Sequence, residues 1–107
     1  MPYYVISTFS SREACRRIAR EAVNRKLAAC ASMLDNVTSV YWWKQRVEEA
    51  REILVIFKVS DEKLMDLNSF LEKEHEYDTP EIVSLKMDKI NRKYLEWINS
   101  SLQENAE

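Results

Sequence analysis

The segment Glu52-Ile-Leu-Val-Ile-Phe-Lys58 is apolar at five consecutive positions, Ile53 through Phe57. A strand covered on one side alternates apolar and polar residues, whereas an unbroken run marks burial on both faces. The chain has 107 residues, enough for one domain spanning residues 1–107, whose core removes roughly 65% of the unfolded surface from water. That is too little chain for two complete helix layers around a sheet. The run therefore predicts that something outside the subunit, most simply further copies of it, covers one face.

The chain contains no glycine. Gly-rich phosphate loops, the dinucleotide fingerprint and the nucleophile elbow all depend on backbone freedom that glycine supplies, so their usual forms are excluded. No Ser/His/Asp order and no Cys paired with His on a recognisable motif stands in for them, and no enzyme activity is expected. A net charge of −2 offers no field to draw nucleic acid or an acidic membrane. No apolar stretch approaches the ~20 residues that cross a bilayer. Met1-Pro-Tyr-Tyr-Val5 lacks the charged start of a signal peptide, and a cytoplasmic location is expected. Cys15 and Cys30 are too few for a disulfide framework and are expected as buried thiols. Lack of glycine together with many Glu, Lys and Arg residues suits a thermostable protein.

Along the chain, Tyr3 to Phe9 reads as a strand, and Ser10 with Glu13 forms a capping box that starts a helix. Ala14, Cys15, Ile18, Ala19, Ala22 and Val23 recur on its apolar stripe. Leu27 to Met33 reads as a strand of small residues, Asp35-Asn36 as a turn, and Val37 to Lys44 as a second stretch with Val37, Ser39, Tyr41 and Trp43 on one face. A turn at Lys44-Gln45-Arg46 leads into Val47 to Val59, about 40 Å of strand, which should carry the aromatic hairpin beyond the core. Ser60 or Asp61 caps a helix with Leu64, Leu67 and Leu71 inward, ending near Glu76. Pro80 forbids its continuation, Glu81 to Met87 returns as a strand with Pro80 at its first position, and Asn91 to Leu102 forms a last helix before a frayed tail from Gln103 to Glu107. The order predicts an α+β fold, a ferredoxin-like βαββαβ sandwich with a long hairpin between its second and third strands and an extra C-terminal helix.

Five blocks carry a resemblance: LAACA at Leu27 to Ala31, TSVYWW at Thr38 to Trp43, Glu52 followed by the apolar run and Lys58, HEYDTPE at His75 to Glu81, and YLEW at Tyr94 to Trp97. Together they resemble the CutA divalent-cation tolerance family over nearly the whole chain, from about Val5 to Leu102. The resemblance implies a homotrimer, fold-related to PII signalling proteins and linked to tolerance of copper and other divalent metals. It also implies candidate copper ligands at a cysteine and two adjacent histidines, which correspond here to Ser7, Glu74 and His75. Ser10, Gln45 and Glu76 stand where the family usually has proline, glycine and proline.

His75 is the sole histidine, and it lies eleven positions after Leu64, which returns it to within about 20° of the same helical direction. It is expected beside the core at a helix end, with a divalent ion such as copper as the alternative use of His75 and Glu74. Tyr77, Pro80 and Glu81 are expected as a strand-entry turn, and the family's shape makes them one wall of an intersubunit cleft opposite Tyr41, Trp43, Glu52 and Lys58. Trp42, Trp43 and Trp97 are expected as interface and core anchors, since no Gly- and aromatic-rich strand suited to RNA accompanies them. The alternative function is a PII-like small-molecule-binding signalling module, or an enzyme, using the clefts between subunits.

Overall fold

The computed structural model describes residues 1–103. Tyr3–Phe9 forms β1, Arg12–Asn24 α1, Cys30–Trp43 β2, Arg46–Val59 β3, Leu64–Glu74 α2, Val83–Lys86 β4 and Arg92–Ser101 α3, with a 3-10 turn at Asp61–Lys63. The expected tail, apart from Gln103, lies outside the described residues.

The helix cap falls one residue later than the Ser10 to Glu13 spacing predicts. Ser11 Oγ accepts the Ala14 N–H at 3.1 Å, and the Ser10 and Ser11 N–H groups both donate to Glu76 Oε2, at 2.7 and 3.1 Å. The carboxylate that a capping box takes from its own first turn comes here from a residue 65 positions away. Cys15, Ile18, Ala19 and Ala22 are buried as the stripe predicts, whereas Ala14 is half-buried and Val23 exposed. The helix ends in a Schellman arrangement, with Leu27 N–H donating to Ala22 O and Lys26 N–H to Val23 O. Lys26 takes the left-handed position at φ 60°, where glycine is usual. Closing this loop uses Leu27 and Ala28, so β2 begins at Cys30 rather than Leu27.

Asp35-Asn36 is not a turn. β2 is one 14-residue strand, and these two residues form an irregularity between the Leu34↔Leu54 and Val37↔Glu52 pairs, with Asn36 at φ 60°. The unbroken partner β3 holds the ladder on both sides of the interruption. The hairpin turns at Lys44 (φ 49°) and Gln45 (φ 65°), the positive pair that a two-residue primed turn requires and that Asn-Gly usually supplies. Gln45→Gly is expected to raise stability by about 0.5–1 kcal/mol, because relief of the left-handed penalty outweighs the added freedom of the unfolded chain. An increase in the urea midpoint at constant slope would show it.

The strands order as β2-β3-β1-β4 with antiparallel neighbours throughout. β4 is shorter than the expected Glu81 to Met87, since only Ile6 through Tyr3 of β1 pairs with it, and Pro80 sits three residues before the strand rather than at its first position. Val5, Phe9, Ile53, Val55, Phe57 and Val59 meet Cys15, Ile18, Ala22, Leu67, Phe70, Leu71, Ile98 and Leu102 in one core, so the helices occupy a single sheet face.

The apolar run consequently divides. Ile53, Val55 and Phe57 are buried, while Leu54 and Ile56 are half-buried on the other face. Cross-strand pairing sets Tyr4, Ile6, Leu34, Val83 and Leu85 on that same face, and Tyr4, Leu34, Val83 and Leu85 are exposed. No helix of the described residues covers them. The molecule measures 47 × 26 × 22 Å, its long axis reflecting the hairpin of β2 and β3.

Candidate functional site

Helix α2 ends where His75 turns to ψ 146°, and the His75 N–H closes the last turn on Leu71 O at 3.0 Å. The imidazole stacks flat on Phe9, with centroids 4.1 Å apart and 9° between planes. Its Nδ1 accepts the Tyr77 N–H at 3.0 Å, so in the neutral ring the proton resides on Nε2, which donates to the buried Ser7 Oγ at 3.1 Å. Burial lowers the His75 pKa, while a hydrogen bond to the Thr8 backbone and the charges of Glu76 and Glu52 oppose it. The neutral tautomer fits all its partners. A second proton on Nδ1 would break the bond to Tyr77.

Tyr77 joins this corner to the sheet, its hydroxyl donating to Glu52 Oε2 at 2.7 Å. Burial, and then the Glu52 hydrogen bond and charge, raises the Tyr77 pKa above the ordinary phenol value, so the hydroxyl remains a donor. Glu76 anchors the entry of α1 by accepting the Ser10 and Ser11 N–H groups. Cys15 is fully buried beneath, its thiol pushed up to about 11 by burial and by the charges of Asp35 and Glu76. It remains a protonated core thiol.

Lys58 lies on the uncovered sheet face, opposite Tyr4 and Cys30, and its Nζ donates to Ser32 Oγ at 3.2 Å and to Cys30 Sγ at 3.7 Å. Sequence reasoning missed Ser32 and Cys30 as its partners, although alternation along the strand they share was the available signal. Val37, Ser39, Tyr41 and Trp43 share one face of β2, as the spacing predicts, and the pairing with β3 sets Glu52 and Lys58 on that same face. They do not converge within one chain: Tyr41 is four residues past Val37, the partner of Glu52, or about 13 Å along the strand. Tyr41 and Trp43 are exposed, with Lys44 Nζ 5.8 Å from the Trp43 ring centroid. Pro80 is half-buried and Glu81 exposed on the segment that enters β4. The structure thus brings Glu52 to Tyr77 and leaves Tyr41 and Trp43 on the arm.

The residues matching the family's copper ligands fit a metal poorly within one protomer. Both ring nitrogens of His75 are engaged, and Ser7 offers a hydroxyl where a soft thiolate would suit copper. Glu74 is half-buried at the last residue of α2. Among the described residues no group of three or more His, Cys, Asp or Glu side chains could hold a metal ion. No helix among them is long and apolar enough to cross a membrane.

A four-stranded antiparallel sheet in this order, with helices on one face and a hairpin arm, defines a ferredoxin-like α+β protein. Residues 3–101 match the CutA1 divalent ion tolerance protein family, and the chain belongs to it. The divalent-cation tolerance protein CutA of Thermococcus kodakarensis is 36% identical over 94 residues, covering 88% of this chain and 89% of that protein. The protein CutA 1, chloroplastic, of Oryza sativa is 38% identical over 101 residues, covering 94% of this chain but 57% of the rice protein, so the chain spans little more than half the length of that relative. Among solved structures, CutA1 from Oryza sativa superposes with a TM-score of 0.90 at 36% identity, covering 97% of this chain and 95% of that one. The divalent cation tolerance protein from Thermus thermophilus gives 0.87 at 36% identity, covering 92% of this chain and 95% of that one.

Proposed function

We propose that this protein serves in the tolerance of divalent cations, copper among them, as a non-enzymatic homotrimer whose working crevices form between subunits. The observation that carries the assembly is the uncovered sheet face. Tyr4, Leu34, Leu54, Ile56, Val83 and Leu85 make a contiguous apolar surface across all four strands, and surfaces of that kind mark association sites. The cation role comes from the family to which the chain belongs, whose relatives carry divalent-cation tolerance in their names. Free thiols at Cys15 and Cys30 suit a reducing compartment such as the cytoplasm.

In the assembled form, Tyr41 and Trp43 of one subunit's arm would meet the corner made by Glu52, Tyr77, Pro80 and Glu81 of another, with Lys58 at its edge. His75 and Glu74 are the residues to which a captured ion would be drawn, and His75 would have to release Tyr77 or Ser7 to bind it. Ion capture is therefore expected to be weak and to compete with these hydrogen bonds.

Two experiments address the two parts. Sedimentation equilibrium of the wild type is expected to give the mass of three chains, and Leu54→Glu with Ile56→Glu a single folded chain. Calorimetric titration with Cu(II) is expected to show saturable binding by the trimer that weakens in His75→Asn. A monodisperse wild-type monomer would refute the assembly, and titration unaffected by His75→Asn would refute the assigned ligand.

A further inference from the structure

The end of the sheet away from the hairpin arm carries a cluster of nucleophilic side chains. Lys58, next to last in β3, pairs with Cys30, the first residue of β2, and on its other side with Tyr4 of β1. Its Nζ lies 3.7 Å from Cys30 Sγ and 3.2 Å from Ser32 Oγ, and the sulfur and the hydroxyl are 3.9 Å apart. No carboxylate of the described residues forms an ion pair with Lys58. The amine is thus held against the thiol and the hydroxyl rather than neutralised by an acid.

The cluster is within reach of solvent. Cys30, Ser32 and Lys58 are half-buried and Tyr4 is exposed. Position in the terminal rows of β2 and β3 puts them at the rim of the uncovered face, open from the end of the sheet when its centre is packed. Cys15 offers the contrast within the same chain, because it is fully buried and its thiol is pushed up to about 11.

A thiol and an amine so placed suit the relay of an acyl group. Thiolates exchange readily with thioesters, whereas a free amine in water attacks them slowly. An amine fixed beside an acylated sulfur meets the carbonyl carbon at a local concentration that no solution amine attains.

We propose that Cys30 and Lys58 form a self-acylation site whose substrates are small acyl thioesters. In the first step the Cys30 thiolate attacks the thioester carbonyl. The bond from Sγ to the acyl carbon forms, the bond to the donor sulfur breaks, and the departing thiolate takes up the proton that Cys30 released. In the second step Lys58 gives one proton to water and attacks the same carbon as the free amine. The bond from Nζ to carbon forms, the bond from Sγ to carbon breaks, and the Cys30 thiolate takes up the proton shed as the amide forms. One acyl group passes from donor sulfur to Nζ, one proton is released, Cys30 is regenerated, and no oxidant or reductant is consumed. The product is a neutral amide with a single N–H, so acylation removes the cation from the rim of the sheet and leaves one donor for Ser32 and Cys30 to share. This activity is separate from the divalent-cation reading and does not depend on it.

The test exposes the full chain to S-acetyl-N-acetylcysteamine and follows each site by peptide mass spectrometry, with circular dichroism to confirm that the variants fold. Lys58 is expected to acquire acetyl about tenfold faster or more than the exposed Lys89 and Lys93. Cys30→Ser should bring Lys58 down to the rate of those two lysines. Lys58→Arg should halt the relay after its first step, leaving on Cys30, and not on Cys15, an acetyl group that hydroxylamine removes. Acetylation of Lys58 that is unchanged in Cys30→Ser would overturn the proposal. So would the absence of a hydroxylamine-labile acetyl on Cys30 in folded Lys58→Arg.

Discussion

Phe57→Ala is expected to destabilise the protein by about 3–5 kcal/mol, the usual cost of emptying a large aromatic site in a packed core. Phe57 has no exposed surface and lies on a central strand between Val5 of β1 and Ala31 of β2. Its neighbours are held by ladders on both sides, so the cavity can collapse little. Ile56→Ala, one residue away but on the uncovered face, is expected to change the stability of the dissociated protomer by less than about 1.5 kcal/mol. Urea unfolding at matched low protein concentration distinguishes the two, with the Leu54→Glu background keeping the chain dissociated. Equal losses at positions 56 and 57 would contradict one-sided burial of β3.

The second large effect is expected at His75. His75→Ala removes a ring stacked on Phe9 and leaves Ser7 Oγ, fully buried, and the Tyr77 N–H without their partners. Together these losses should cost about 2–4 kcal/mol. His75→Asn, which can still donate and accept, should retain part of that. The same site predicts a pH dependence. Burial depresses the folded pKa below the ordinary 6.5, so the unfolded chain binds the proton more readily. The stability contributed by neutral His75 is therefore complete above the unfolded value and is lost as pH falls from 6.5 through the folded value. Thermal midpoints from about pH 7.5 to pH 5 should fall more for wild type than for His75→Asn. Parallel curves for the two proteins would show that the ring is not held neutral.

The element order was legible because each segment carried its own periodicity: alternation in Val37 to Trp43, the helical stripe through Cys15, Ile18 and Ala22, and the stop at Pro80. Errors arose where a distant residue changed a local outcome. Ser10 and Glu13 form a plausible local capping box, yet Glu76 takes the backbone donors of Ser10 and Ser11 and the cap moves to Ser11. Asp35-Asn36 has the composition of a turn, but continuous pairing with β3 keeps it within one strand. Expected β4 positions beyond Val83–Lys86 found no partner along β1.

The candidate site divides in the same way. Spacing from Leu64 placed His75 beside the core, and alternation put Val37, Ser39, Tyr41 and Trp43 on one face, since each follows from the geometry of a single element. The bond from Tyr77 to Glu52, the stacking of His75 on Phe9, and the Lys58 contact with Ser32 and Cys30 join residues far apart in the chain, and no local period encodes them. By itself the sequence determined which segments are strands and helices and that Ile53 to Phe57 carries more apolar surface than one sheet face can use. Only the tertiary structure decided how that run divides, with Ile53, Val55 and Phe57 beneath the helices and Leu54 and Ile56 outside them. The physical reason is that alternation is a property of one strand, whereas the side the helices cover depends on how the whole sheet is crossed and paired.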